Sequence, residues 1–297
     1  DKGDPASPEA SQGGYSLIDF NRAGVPLMEL VTEPVIKTAE EASAFAKELQ
    51  LVLRYLGASD ANMEKGEMRV EANISVSKDK NFGTKVEVKN LNSFKVVEKA
   101  IAYEIARHIE VLNGGGKIVQ ETRGWDENKE ETFSQRMKES SHDYRYFPDP
   151  DLPKIKISEI PEFSKEVLKK EIPELPWERR ERYKKLKINS EYIEMFISDD
   201  RFGKLFEETA ALMKDSLARG GELTVSNYIG SDIAGLVSKF GNSGLKNISP
   251  KGLSVVVVRA FSEQISSRGA KDSIAEVFQN GGDLIEVSKK YFQKSDK

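Results

Sequence analysis

The pattern of apolar and polar residues divides the chain into a sheet-forming stretch and a helical remainder. Between residues 69 and 138, apolar residues alternate with polar ones in short runs, as they do in β-strands that bury one face. Beyond Pro161 the apolar residues recur every three or four positions, which indicates amphipathic helices. The predicted strands are residues 69–77, 85–89, 120–126 and 131–138, with polar turns at 78–83 and 127–129.

Helix signals surround these strands. Thr38 and Glu41 form a capping-box pattern before a helix that Gly57 ends. Either Asn92 or Ser93 caps a second helix, which stops at a run of three glycines. Later helices are predicted at residues 177–186, around 202–212, at 226–240 and at 250–266.

The last of these helices contains a conflict between two signals. Residues 255–258 are four consecutive valines, which favour a strand on β-propensity alone. Ser249 and Pro250 stand before them as a helix cap and first helical residue. We therefore predict a helix.

Residues 15–34 combine an alternating run, a polar turn and a second, strand-like apolar run. Glu29 stands in the middle of that second run. A carboxylate is costly to bury unless it is paired, so Glu29 either points into solvent or serves a charged ligand. Charged side chains are mostly exposed in proteins, which favours solvent for an arbitrary chain.

Length, composition and net charge exclude several classes of protein and of functional site. The 297 residues are long enough for two domains, and no apolar run has the length of a membrane span. The absence of cysteine excludes disulfides, zinc ribbons, iron–sulfur clusters and thiol nucleophiles, and fits a cytoplasmic protein. Two distant histidines give no His-rich metal site, and no P-loop or Rossmann glycine motif is present. A net charge of −4 gives no overall basic footprint for nucleic acid.

Acidic and basic side chains share the polar face of the predicted sheet and the run around Glu29. They are Glu29, Arg69, Glu71, Lys85, Glu87 and Lys89. One interpretation is a solvated face with cross-strand ion pairs. The other is a nucleotide site, in which carboxylates hold Mg²⁺ and basic groups neutralise a phosphoryl group.

Five separated motifs resemble the GatB family, which belongs to the aspartyl/glutamyl-tRNA amidotransferases. They are Asn-Arg-Ala-Gly-Val-Pro-Leu-Met-Glu-Leu within residues 15–34, Gly-Glu-Met-Arg-Val-Glu-Ala-Asn at the start of 66–75, Lys-Asn-Leu-Asn-Ser-Phe at 89–94, Gln-Glu-Thr-Arg at 120–123 and Asp-Tyr-Arg-Tyr-Phe-Pro at 143–148. The likeness is looser from residue 154 onward.

The resemblance implies an α+β fold. Residues 1–153 are expected to form a cradle domain, mainly an antiparallel sheet with helices, like glutamine synthetase and the guanido kinases. Residues 154–240 are expected to form an all-α domain, and 241–297 the start of a YqeY-like tail. Family members also carry a strand with a Glu-x-His motif and an acidic loop upstream of the segment that begins here, so we expect this chain to lack its N-terminal part.

The implied activity is ATP- and Mg²⁺-dependent transamidation of Glu-tRNA(Gln) or Asp-tRNA(Asn). The side-chain carboxylate is phosphorylated, and ammonia from a partner amidase then displaces phosphate. The implied partners are the amidase (glutaminase) of the complex, its small third component and aminoacylated tRNA, in the cytoplasm. Two alternatives stay open: a non-catalytic tRNA-binding scaffold, and the related archaeal GatE-type protein.

Site residues follow from the same resemblance. The expected catalytic residues are Glu29, Arg69, Glu71 and Lys89, with Glu29 also the metal ligand. The expected substrate-binding residues are Asn90, Asn92, Ser93, Arg123, Tyr144 and Arg145. This chain has Val-Glu at 70–71 where the family usually has Cys-Asp, which moves the carboxylate out by one methylene.

A charge run in the helical half has two interpretations. Residues 179–185 contain three arginines, two lysines, one glutamate and one tyrosine. Such a run is usually a solvated helix face. By resemblance, this region lies against tRNA.

Overall fold

The computed structural model describes residues 19–21, 23–137, 150–213 and 220–292; of residues 136 and 137 it describes only the backbone. The chain forms two units, residues 1–38 and residues 39–297. Each is described by itself.

The first unit contains no helix or strand in its described residues, 19–21 and 23–38. A turn closes where the backbone N–H of Ala23 donates to the carbonyl of Phe20, at 2.9 Å. Leu27, Met28 and Val31 are all exposed. The strand-like interpretation of this run is therefore wrong for these residues. The apolar spacing is uneven, and the chain carries proline at positions 26 and 34, which removes two of the backbone donors that a strand would use.

Four strands form one sheet in the second unit: β1 (Val70–Ile74), β2 (Val86–Leu91), β3 (Glu121–Asp126) and β4 (Glu131–Met137). Their spatial order is β1-β2-β3-β4. The outer pairs β1–β2 and β3–β4 are antiparallel, and the central pair β2–β3 is parallel. All four predicted strands are confirmed, with boundaries that differ by a few residues at some ends.

Helix α1 (Ala39–Tyr55) precedes β1 in the chain, and helix α2 (Phe94–Asn113) lies between β2 and β3. Helix α2 is the crossover between the parallel strands β2 and β3, as a parallel connection requires. Its N-cap is Ser93, whose hydroxyl accepts from the Val96 N–H at 3.2 Å. The structure thus decides between the two predicted caps. Apolar side chains of β1, β2, β3 and both helices form a core on one face of the sheet.

The remaining helices are α3 (Lys165–Glu171), α4 (Pro176–Lys185), α5 (Ser190–Ser198), α6 (Asp200–Met213), α7 (Gly221–Asn227), α8 (Ala234–Phe240), α9 (Pro250–Phe261), α10 (Ser267–Asn280) and α11 (Leu284–Ser288). Short 3-10 turns lie at Ile157–Glu159, Pro161–Phe163, Asn242–Asn247 and Lys289–Tyr291. A second core contains side chains from α4 through α11. At its centre, Phe206 stacks on Phe196 at 5.0 Å between ring centres and meets Tyr183 edge-on at 5.2 Å.

Two helical predictions need comment. The four valines at 255–258 lie inside α9, so the caps outweighed β-propensity as expected. The helix predicted at 226–240 begins earlier, at Gly221, and contains a π-helical turn, Tyr228–Ile233, between α7 and α8. Gly230 in that turn packs against the Tyr192 ring, where a Cβ would come within 2.4 Å of ring atoms.

Helix α1 belongs to both cores of the second unit. Its first residue, Ala39, is in the sheet core, whereas Leu51 and Tyr55 near its end pack on the helical core. The Tyr55 hydroxyl donates to the carbonyl of Ile197 in α5 at 3.2 Å. The α+β class with a mainly antiparallel sheet is confirmed. The boundaries predicted at 153 and 240 stay predictions.

Within the described residues, no helix combines the length and apolarity needed to cross a membrane.

Candidate active site on the open face of the sheet

One face of the sheet is covered by α2, and the other carries polar side chains; we term the second the open face. Strand register sets its layout. Lys89 lies opposite Gly124, which lies opposite Phe133. Glu87 lies opposite Thr122 in the neighbouring row. Residues opposite one another in register point to the same face, so these side chains form two adjacent rows.

Lys89 is the centre of the charged part of this face. Its Nζ lies 3.3 Å from Glu71 Oε2 and 3.8 Å from Glu87 Oε1. Thr122 Oγ1 donates to the other Glu87 oxygen at 2.9 Å. Lys89 and Glu71 are 39% and 45% exposed, while Glu87 is 14% exposed. The arrangement offers one ammonium group and two carboxylates to a ligand that approaches from solvent.

A β-bulge brings Lys89 and Glu71 together. Val70 pairs with Leu91, but Ala72 pairs with Val88, so the β2 side has one extra residue here. Asn90 in the bulge has a φ of +62°. Asparagine adopts this left-handed conformation more readily than most residues, and bulges re-aim the side chains next to them. The motif at 89–94 thus contains the residue type that this bulge needs.

The next predicted residues lie between β2 and α2. Asn92 and Ser93 are exposed, and the Ser93 hydroxyl is engaged as the helix cap. A cavity of about 220 Å³ opens beside Ser93, with Trp125 as its aromatic wall.

Arg69 is exposed just before β1, and it forms no ion pair within the described part of the chain. Glu29 is exposed in the first unit. Tyr144 and Arg145 lie outside the described residues.

Arg123 lies on the opposite, helix-covered face. Its guanidinium is 3.1 Å from Glu104 Oε1 and 2.7 Å from Glu121 Oε1. It also donates to the hydroxyl and the carbonyl of Thr132, at 2.9 and 2.8 Å. The side chain is 13% exposed. It therefore links α2, β3 and β4 from beneath the open face.

Glu104 of α2 is the centre of this second cluster, and sequence reasoning missed it. It is fully buried, accepts from Arg107 at 2.8–3.2 Å and from the Thr132 hydroxyl, and lies 3.2 Å from His108 Nε2. Burial by itself raises the pKa of this carboxyl, but the adjacent His108 imidazole and the hydrogen bonds from Arg107 and Thr132 outweigh it and lower the pKa to about 2. Its position offered a signal, because Val97, Ile101, Glu104 and His108 occupy one buried helical stripe.

The arginines of the charge run at 179–185 pair with carboxylates outside that run. Arg180 lies 2.8 Å from Glu48 of α1 and 2.8 Å from Glu194 of α5. Arg182 contacts Glu174 and Glu207, at 2.7 and 2.6 Å.

Arg179 is held in the same way, 3.0 Å from Glu174. Its guanidinium also lies over the Tyr55 ring, 4.9 Å from the ring centre. The three arginines tie α4 to its neighbours. Contact of this region with tRNA stays a prediction.

Comparisons with known proteins agree with one another. A family model described as the GatB/GatE catalytic domain matches residues 3–161. Curated relatives named as the B component of the aspartyl/glutamyl-tRNA(Asn/Gln) amidotransferase include one from Prochlorococcus marinus (strain AS9601), 46% identical over 271 residues, 89% of this chain and 53% of the relative. One from Persephonella marina (strain DSM 14350 / EX-H1) is 40% identical over 274 residues, 91% of this chain and 56% of the relative. The chain thus spans about half the length of the curated relatives it matches.

Proposed function

Because this chain belongs to the GatB/GatE catalytic-domain family, we propose that it carries the kinase and transamidase site of a tRNA-dependent amidotransferase. The observation that supports this most is the open face, where Lys89 lies between Glu71 and Glu87 inside the matched region. The proposed substrates are ATP and misacylated Glu-tRNA(Gln) or Asp-tRNA(Asn). The proposed partners are an amidase and a small third protein of the same complex, in the cytoplasm.

The chemistry requires activation, since a carboxylate is a poor electrophile. In the proposed reaction, an oxygen of the aminoacyl side-chain carboxylate attacks the γ-phosphorus and ADP leaves. Ammonia then attacks the carbonyl carbon, phosphate leaves, and one proton is lost. Lys89 is proposed to neutralise charge on the transferring phosphoryl group. The bulge at Asn90 is proposed to orient Lys89 toward that group.

Glu29 is the proposed metal ligand, as an exposed carboxylate of the first unit. Mg²⁺ prefers oxygen ligands and usually takes one or two carboxylates together with substrate phosphates. Glu71 is proposed to act from the open face as a catalytic carboxylate. When bound, Mg²⁺ would neutralise phosphate charge.

Roles for the remaining predicted residues follow their positions. Arg69 stays a proposed catalytic residue. Asn90 and Asn92 are proposed to contact substrate, and Ser93 to position α2 as its cap. Arg123 is proposed to act through the strands that it joins, since it lies on the helix face. Tyr144 and Arg145 stay proposed substrate contacts. The cradle-like architecture and the YqeY-like tail also stay proposals.

Two alternatives have some support. A non-catalytic tRNA-binding scaffold is favoured by the fact that both open-face carboxylates already contact Lys89, as in an ordinary paired surface. A GatE-type protein is compatible with the family model, whose description covers both types. The names of the curated relatives favour the GatB type.

ATP cleavage by the natural full-length protein, assembled with an amidase partner, separates enzyme from scaffold. We expect cleavage to depend on Glu-tRNA(Gln) or Asp-tRNA(Asn) and to be absent with the uncharged tRNA. Glu29→Gln, which removes charge but keeps shape, should reduce cleavage and raise the Mg²⁺ concentration required. Binding of aminoacylated tRNA without any ATP cleavage would establish the scaffold instead.

A further inference from the structure

Phe133 is an aromatic side chain on the open face, and it is 44% exposed. Trp125, in the adjacent strand, is 8% exposed and belongs to the sheet core. Burying an aromatic ring is favourable, but single exposed apolar side chains are common. What sets Phe133 apart is the surface beneath it.

Gly124 makes room for Phe133. A Cβ at position 124 would lie 2.8 Å from Phe133 Cζ and 2.5 Å from Gln135 Nε2, so the ends of both side chains would have to move. The missing side chain therefore lets the tip of the ring and the Gln135 amide lie against β3. Gln135 is exposed, and its amide can both donate and accept hydrogen bonds. We term the Phe133 ring and the Gln135 amide over Gly124 the platform.

The platform lies in the same row as Lys89. Gly124 pairs with Lys89 on one side and with Phe133 on the other. Lys89 and Phe133 are therefore two strand spacings apart, about 9.5 Å between backbones. In a nucleotide, a ribose separates base from phosphates. A nucleotide lying across the strands can thus place its phosphates at Lys89 and its base over Phe133.

We propose that Phe133 and Gln135, lying over Gly124, form a stacking platform for an adenine base. Aromatic side chains stack on bases, and a glutamine amide matches the donor and acceptor of the adenine N6/N7 edge. The proposal rests on the proposed function, because it takes the nucleotide's phosphates to lie at Lys89. The adenine can belong to ATP or to the 3′-terminal adenosine of the tRNA.

The test is equilibrium dialysis with the natural full-length protein and three ligands: ATP, inorganic tripolyphosphate and the trinucleotide CpCpA. The variants are Phe133→Ala, Phe133→Leu, which keeps apolar bulk without a ring, and Phe133→Trp. Phe82→Ala is the control, since Phe82 is also exposed but lies in the turn between β1 and β2. Thermal melting checks that each variant folds.

We expect Phe133→Ala and Phe133→Leu to weaken binding of an adenine ligand by roughly 5- to 150-fold. Phe133→Trp and Phe82→Ala should bind as the wild type does, and tripolyphosphate binding should not change. A loss for ATP assigns the platform to the nucleotide substrate, and a loss for CpCpA assigns it to the tRNA end.

The failures are distinguishable. If Phe133→Leu binds ATP and CpCpA as tightly as the wild type, while Lys89→Ala loses ATP, the platform is refuted and the proposed function stands. Wild-type protein that binds neither ATP nor tripolyphosphate contradicts the proposed function, and the platform with it.

Discussion

The two faces of one sheet hold charged side chains under opposite conditions. On the helix face, Glu104 is fully buried and contacts Arg107, His108, Arg123 and Thr132. On the open face, Glu71 is 45% exposed and shares Lys89 with Glu87. The first arrangement fixes the position of the strands, and the second leaves charged groups accessible to a ligand.

Distances and solvent explain the difference. A buried charge is tolerable only when it is fully paired, and removal of one partner is strongly destabilising. An exposed ion pair contributes little, because water competes with it. The contacts of Lys89, at 3.3 and 3.8 Å, are also longer than the 2.7 Å contact between Arg123 and Glu121. Lys89 can exchange a carboxylate for a phosphate at small cost.

The largest effect on stability should come from Glu104. Glu104→Ala leaves Arg107 and Arg123 without their shared carboxylate, and we expect the free energy of unfolding to fall by about 3–5 kcal/mol. Urea denaturation measures this. Glu110→Ala, on an exposed position of the same helix, should change stability by no more than about 0.5 kcal/mol. Equal effects for the two variants would remove the contrast between the faces.

Acid should lower the free energy of unfolding by protonating Glu104. The pKa of Glu104 is about 2 in the folded protein, below its ordinary value of 4.5. The folded state therefore binds fewer protons, so this stabilisation is complete above pH 4.5 and is lost as the pH falls towards 2. A shift of this size corresponds to about 3 kcal/mol.

Comparison of Glu104→Gln with the wild type isolates this contribution. Urea denaturation gives the free energy of unfolding of each protein at about pH 6 and about pH 3. Between these pH values it should fall less in the variant than in the wild type, because the variant lacks the carboxyl that takes up a proton. Identical pH dependence of the two proteins would contradict the low pKa.

The smallest effect should come from the open face. A double-mutant cycle with Glu71→Ala and Lys89→Ala should give a coupling of at most about 1 kcal/mol in the free energy of unfolding, and less at high salt. A coupling near the roughly 3 kcal/mol expected of a buried pair would show that this pair, like the helix-face cluster, is structural.

Sequence patterns predicted the elements that local rules control. The alternation in β1 and β2, the cap at Ser93 and the glycine stop after α2 each act within a few residues, so the sequence alone indicated them. The helix at the four valines was also predictable, because a serine cap and an N1 proline preceded it.

Long-range partners were not predictable in this way. Arg180 pairs with Glu48, 132 residues away, and no local pattern in the sequence indicates such a partner. The face occupied by Arg123 depends on the β2–β3 register. The bulge at Asn90 depends on the β1–β2 register. The strand predicted around Glu29 does not form in the described residues. The prolines at positions 26 and 34 remove two backbone donors there.

The most direct test of the open face as a catalytic site is aminoacyl-tRNA-dependent ATP cleavage by Lys89→Ala. The control is Lys129→Ala, which removes an exposed lysine 3.9 Å from Glu131 at the β3–β4 turn. We predict a loss of about 10²–10³-fold in kcat for Lys89→Ala, with little change in thermal stability, and near-wild-type cleavage for the control. Cleavage by Lys89→Ala at the near-wild-type rate of the control would contradict a catalytic role for Lys89. The open face would then be an ordinary surface of paired charges.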